Sequence, residues 1–313
     1  MAEKATAGTT AAEGAAIEST APEDATPQGP TSLFDLELIK ERRLSDQDRA
    51  ILDALCGAPN TTPWDIAYQL DWLCPLLEEK KEAEYYFWRL WGIIVDIARS
   101  PGVTDEIQEY LVLILRSLEQ QAKGDMIVWG IEKRVWADLP LFPQYMELYF
   151  QDPLLEGTYT PKSAQIWRNL NLFGARCLRV NLLGAYLRAT DALRHALEED
   201  LRAHNDVSIR EWRLQVACDW IPHASVCLLG WALENVGHTD LTPEDGLQYI
   251  EGGPLYHGPP AVCLQRWGFW IERFEALGKD ESLGLSEEIR QVAVLAAQTM
   301  VAVEKRMANT LST

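Results

Sequence analysis

Residues 84–121 read EYYFWRLWGIIVDIARSPGVTDEIQEYLVLILRSLEQQ, and this stretch decides the fold. Tyr85, Trp88, Trp91 and Val95 recur at steps of three and four, as do Leu111, Leu115 and Leu118, which is the period of one helix face and not the alternation of a strand. Thr104-Asp105-Glu106 places a capping hydroxyl and early acids ahead of the second apolar run, and Lys123-Gly124 closes it.

The same signs continue in both directions. Pro63 just before Trp64 marks a helix start, and Ser286-Glu287-Glu288 opens a last helix toward Met307. The longest periodic region runs from Pro161 past Leu201, and Asn205-Asp206 breaks the chain before Ser208, whose Glu211 completes an expected capping box. Leu139-Pro140-Leu141-Phe142-Pro143 is expected to end one helix and begin another. The expectation is an all-α, compact multi-helix bundle of roughly nine to eleven helices with no convincing strand.

Residues 1–32 differ in texture, being rich in Ala, Thr, Gly, Pro and Glu with Ile17 as their one long aliphatic. Such a segment cannot bury enough apolar area to offset its ordering entropy, so it reads as a disordered acidic tail before a single helical domain over 33–313.

The chain of 313 residues carries 28 Lys and Arg against 47 Asp and Glu, a net charge of -19. Without a clustered basic face, neither nucleic acid nor an anionic membrane surface is an expected partner. Six scattered cysteines without a CxxC pair read as reduced thiols, and the N-terminus lacks the basic start and apolar run of a signal peptide, so a cytoplasmic protein is expected.

No catalytic constellation is complete: there is no GxSxG, and the histidines define no triad. Asp191, His195 and Glu198 share a helix stripe, but no second Glu-x-x-His exists for a di-metal bundle, and the stripe reads as a solvated polar face. Cys218, His223 and Cys227 are poorly spaced for zinc. Neither a metal nor any other cofactor is expected. The glycine loop Glu251-Gly252-Gly253-Pro254-Leu255-Tyr256-His257-Gly258-Pro259-Pro260 lacks both GxGxxG and a GK[ST] ending, so it makes a weak phosphate site.

Twelve tryptophans are an unusual number for this length. Most fall on apolar helix stripes and read as core, while a subset suits the wall of an apolar pocket. Trp267, Trp270 and Phe274 share a face, with Arg266 and Arg273 seven residues apart beside them. Those arginines suit either an anion clamp next to the glycine loop or stacking on tryptophan and pairing with acids. His257 in that loop is a candidate proton donor. Asn169, Asn171 and Arg176 interrupt an apolar helix, either as a buried hydrogen-bonded network or, with Arg266, as readers of a ligand.

Two segments carry a family resemblance. Trp167-Arg168-Asn169-Leu170-Asn171-Leu172-Phe173-Gly174-Ala175-Arg176 is like a Trp-x-x-Leu-Asn-x-Phe-x-Ala-Arg stretch, and Gly252-Gly253-Pro254-Leu255-Tyr256-x-Gly258 followed by Arg266-Trp267-x-Phe269-Trp270 and Arg273-Phe274 is like a glycine loop and Arg-Trp helix. Together they resemble a fungal family of all-helical proteins catalogued as a domain of unknown function, over roughly Leu44 to Leu277. The resemblance implies the helical fold and a fungal cytosolic context, and it implies no reaction.

The resulting expectation is a non-catalytic binding module with an aromatic groove near residues 252–274 for a partner protein or a small apolar ligand, its site residues being Arg266, Arg273, Trp270, His257, Asn171 and Arg176. The competing expectation is a helical enzyme or an accessory protein of fungal secondary metabolism, using Arg266, Arg273, His257 and Asn171 around one pocket. An enclosed pocket joining those four residues favours the enzyme, whereas an open apolar groove favours binding.

Overall fold

The computed structural model describes residues 34, 36–40, 42–57, 61–121, 123–237 and 251–311, so the expected disordered tail lies outside the described residues. Among them, eleven α-helices run in order: α1 (Glu37–Lys40), α2 (Asp46–Cys56), α3 (Pro63–Leu73), α4 (Lys80–Arg99), α5 (Asp105–Glu119), α6 (Phe142–Tyr149), α7 (Pro161–Arg179), α8 (Tyr186–Leu193), α9 (Val207–Glu234), α10 (Leu264–Lys279) and α11 (Glu287–Leu311). The all-helical expectation holds, with one small exception. Strands β1 (Asp125–Val128) and β2 (Ile131–Arg134) form an antiparallel hairpin with Val128 opposite Ile131. Its two turn residues, Trp129 (φ 51°) and Gly130 (φ 83°), both lie in the left-handed region, as a two-residue hairpin turn requires.

Helix α9 is central, packing against α7, α8, α10 and α11. Trp212, Leu214, Val216, Trp220, Ile221 and Leu228 are buried along it, while Pro222, Val226 and Leu233 leave one strip open to solvent. It is the one helix among the described residues long and apolar enough to cross a membrane, yet most of its apolar stretch is buried inside the fold.

The Thr104 cap forms as read, accepting from the N–H of Ile107 at the start of α5, and the helix start read at Pro63 is fixed by a reciprocal capping box of Thr62 and Asp65. Others differ. Helix α9 is capped by Asp206, which accepts from the N–H of Ser208, while Glu211 turns away from its own helix to accept from the N–H of Ser286 at 2.6 Å. The long region after Pro161 breaks at residues 180–185, where Asn181 sits at φ 61°, and Leu141 at φ 68° precedes α6 after the hairpin and its turns, not after a helix.

In the stripe of Asp191, His195 and Glu198 the last two are buried and Asp191 is half-buried, not solvated, because α8 continues into a π turn over Arg194–Glu198. The wider turn adds one residue and rotates Glu198 inward. His195 Nδ1 lies 3.3 Å from an Asp191 oxygen; burial first, then the charge of Arg213, holds the imidazole down to about 4, and burial lifts Asp191 to about 6. Their pH slopes oppose, so His223 is the cleaner probe. Its Nδ1 accepts from Arg179 at 3.3 Å, and burial followed by the charges of Arg176 and Arg179 pulls it down to about 4. The unfolded chain binds a proton there near pH 6.5 and the folded one does not, so stability drops as pH falls from about 6.5 toward 4, by about 1–3 kcal/mol. His223→Gln should remove this share, bringing the urea midpoints at pH 7 and pH 4 closer together than in the parent. Equal spacing in both proteins would contradict the assignment.

Candidate functional site

Arg266 and Trp270 lie on α10, and both are fully buried. They meet at Glu198, a hub that the sequence did not reveal. Its carboxylate accepts from Arg266 Nε (2.6 Å) and Nη2 (2.9 Å), Trp270 Nε1 (2.7 Å) and the backbone N–H of Gly253 (2.7 Å). The backbone carbonyl of Glu198 accepts from Leu255 at 2.9 Å, and Arg266 also donates to Glu251 O while lying over the rings of Tyr256 and Trp270. The hub thus ties the π turn, the glycine loop and α10 into one corner. A side chain at Gly253 would place Cβ 2.7 Å from the Glu198 carbonyl oxygen, which is why glycine is needed there.

The remaining expected site residues go elsewhere. Arg273 donates to Leu197 O at 2.9 Å, and His257 is exposed on the loop. Asn171 donates to Trp167 O and accepts from Trp220 Nε1 between α7 and α9. Arg176, also buried, donates to Gln108, Glu109 and Asp105 of α5, and Asn169 donates to Ser100 O. The partners of Asn171 and Arg176 lie on α5, α7 and α9 and are not those of the Glu198 corner. With Arg266, Trp267, Trp270 and Phe274 buried, the aromatic face over 252–274 is closed core, so the expected groove must be sought elsewhere. Among the described residues no group of three His, Cys, Asp or Glu is arranged to hold a metal.

The open aromatic surface is on α3. Trp64, Tyr68 and Trp72, four residues apart, form a stripe along one face and are 48%, 60% and 79% exposed. The opposite face, Ile66, Ala67 and Leu70, is buried, and α3 packs against both α5 and α2. Between α2 and α3 lies a cleft of ≈510 Å3, floored by Ala50 and Ala54 and walled by Asp53, Tyr68, Gln69, Trp72 and Leu73.

Both ends of α3 are tied down. Tyr110 donates its hydroxyl to Thr61 O at 2.8 Å just before the first turn. At the other end Tyr86 donates to Leu70 O at 2.6 Å, Lys123 to Asp71 O at 2.7 Å, and buried Trp136 donates through Nε1 to the Asp71 carboxylate at 2.5 Å. The exposed rings therefore stand on a fixed platform. Sequence does not separate Trp64 and Trp72 from the core tryptophans, because a helix stripe looks alike whether it meets another helix or water, and Tyr68 and Asp53 carry no separate signal.

The fold and these corners define an all-helical protein held by buried arginine–carboxylate pairs. The chain belongs to the family described as Protein of unknown function (DUF3632), whose model matches residues 91–274, from α4 into α10. The match includes both segments that carried the resemblance, the Glu198 corner and the Arg176 network, and it begins after α2 and α3 rather than near Leu44. No curated protein and no solved structure matches the chain.

Proposed function

We propose that this protein is a non-catalytic, cytoplasmic interaction module whose aromatic groove is the α2–α3 cleft. The observation that carries the reading is the stripe of Trp64, Tyr68 and Trp72, large aromatic side chains held toward water on a helix fixed at both ends. A contiguous exposed apolar surface of this kind marks a binding face, and aromatic side chains dominate the energetics of such faces. Cys74, Cys177, Cys218, Cys227 and Cys263 are thiols, in keeping with a reducing compartment. The competing enzyme would need Arg266, Arg273, His257 and Asn171 around one pocket, and the bonds of Arg266 to Glu198 and of Asn171 to Trp220 give that arrangement no support.

The test is a photoreactive amino acid placed at Gln69, within the cleft, and at exposed Glu304 on α11 as a control, in the cells that make the protein. The expected result is a light-dependent adduct at 69, absent at 304 and lost in a Trp72→Ser background. Equal labelling at both positions, or none at 69, would overturn the proposal.

A further inference from the structure

Resting on that reading, we infer that the α2–α3 cleft receives a basic amphipathic helix of a partner protein. Four features of the cleft specify this occupant.

The first is shape. The cleft is a trough between two helices, and α3, at 11 residues, is about 16 Å long. Tyr68 and Trp72 line the trough and Trp64 continues their face of α3, giving a partner helix a ridge to pack along, with its own anchors spaced three and four apart.

The second is openness. A small-molecule site encloses most of its ligand, roughly 70–90% of the ligand surface. Here a principal wall, Trp72, is itself 79% exposed, so the cleft covers one side of an occupant and leaves the other to solvent, as a docked helix requires.

The third is local charge. Asp53 is the charged side chain lining the cleft, and α3 carries Asp65 and Asp71 without a single Lys or Arg. The one base on α2, Arg49, is already paired with Asp46 at 2.5 Å, and Asp71 is answered by Lys123 at 3.2 Å. What remains in the lining is the carboxylate of Asp53, and cations beside the apolar anchors of a partner would complement it.

The fourth concerns the alternatives. A second copy would bring the same carboxylates against themselves on a chain of net charge -19, which disfavours a symmetric contact. An added strand would need a free sheet edge, and the cleft is walled by helices alone.

The experiment titrates the full chain with three fluorescently labelled synthetic 18-residue helical peptides. One has leucine and phenylalanine anchors at helical spacing flanked by lysines, the second replaces the lysines by glutamates, and the third permutes the basic peptide so that its anchors no longer share a face. The basic peptide should bind about tenfold or more tighter than the other two, with the gap to the acidic peptide narrowing as salt is raised. Trp72→Ala, at a position exposed enough that folding is not at stake, should weaken it about tenfold or more, and Asp53→Lys should reduce the preference for basic over acidic. Equal binding of the three peptides, no binding of any, or a charge preference untouched by Asp53→Lys overturns the inference. If that happens while the Gln69 adduct still forms, the cleft remains a binding face and only the nature of its occupant is refuted.

Discussion

Glu198→Ala is expected to cost about 3–5 kcal/mol of folding stability, because it leaves the Arg266 guanidinium charged in a site with no access to water. Two further donors lose their acceptor at once, Trp270 Nε1 and the N–H of Gly253, each worth roughly 1–3 kcal/mol when stranded in the interior. Relaxation of the glycine loop, exposed at Pro254, Leu255 and His257, lets water reach some of these groups, which keeps the total from being additive. The urea midpoint of Glu198→Ala against the parent measures the loss, and Arg266→Met should fall in the same range by stranding the carboxylate instead. The double variant Glu198→Leu with Arg266→Met removes both charges and should recover a good part of the loss, since a buried ion pair is often replaceable by apolar volume. A double variant as unstable as the sum of the singles would show that the corner is held by shape and not by the pair.

That corner also marks where sequence reading stops. The tryptophan and arginine positions on α10 were legible from their spacing, and the bland alternative of stacking and acid pairing was open, but the acid itself lies 68 residues earlier in a turn whose register is not helical by the usual period. A π turn leaves no composition signal, so Glu198 was assigned to the His195 stripe when it points instead toward α10. The α9 cap failed for a related reason. Ser208 and Glu211 fit the local pattern, yet a neighbouring donor, Ser286 N, claims Glu211, and Asp206 is better placed to accept from Ser208. Where signals are local, as in the helix start at Pro63 and the Thr104 cap, reading and structure agree. The hairpin was missed because Trp129 occupies a left-handed turn position that sequence rules reserve for Asn, Asp or Gly. The α3 stripe is the most instructive case. Its period was visible, but Trp64, Tyr68, Trp72 on one side and Ile66, Ala67, Leu70 on the other are both apolar, and only the packing against α5 decides which goes inside.

Trp136→Ala should couple stability to the cleft. Trp136 is fully buried, meets Phe87 and Trp91 edge-on at ring separations of 5.4 and 6.4 Å, and bonds Asp71, the residue immediately before Trp72. Truncation removes one of the largest core side chains, at about 3–5 kcal/mol. It also releases the carboxylate that fixes the last turn of α3. Trp136→Phe separates the two effects: most of the ring volume stays, the N–H is lost, and the stability change should shrink to about 1.5–3 kcal/mol, the range for a hydrogen bond to a charged group. Both variants should raise amide hydrogen exchange over residues 70–73 more than over α5, because one of the three anchors at that end is gone while Tyr110 still holds the beginning. The consequence for binding follows from preorganisation. A docking face that must be reordered on contact binds more weakly, so the basic peptide should lose affinity in Trp136→Phe although that side chain touches no part of the cleft lining. If exchange in α3 and peptide affinity both match the parent while the urea midpoint falls, Trp136 supports the core alone and the rigidity of the aromatic platform has another source.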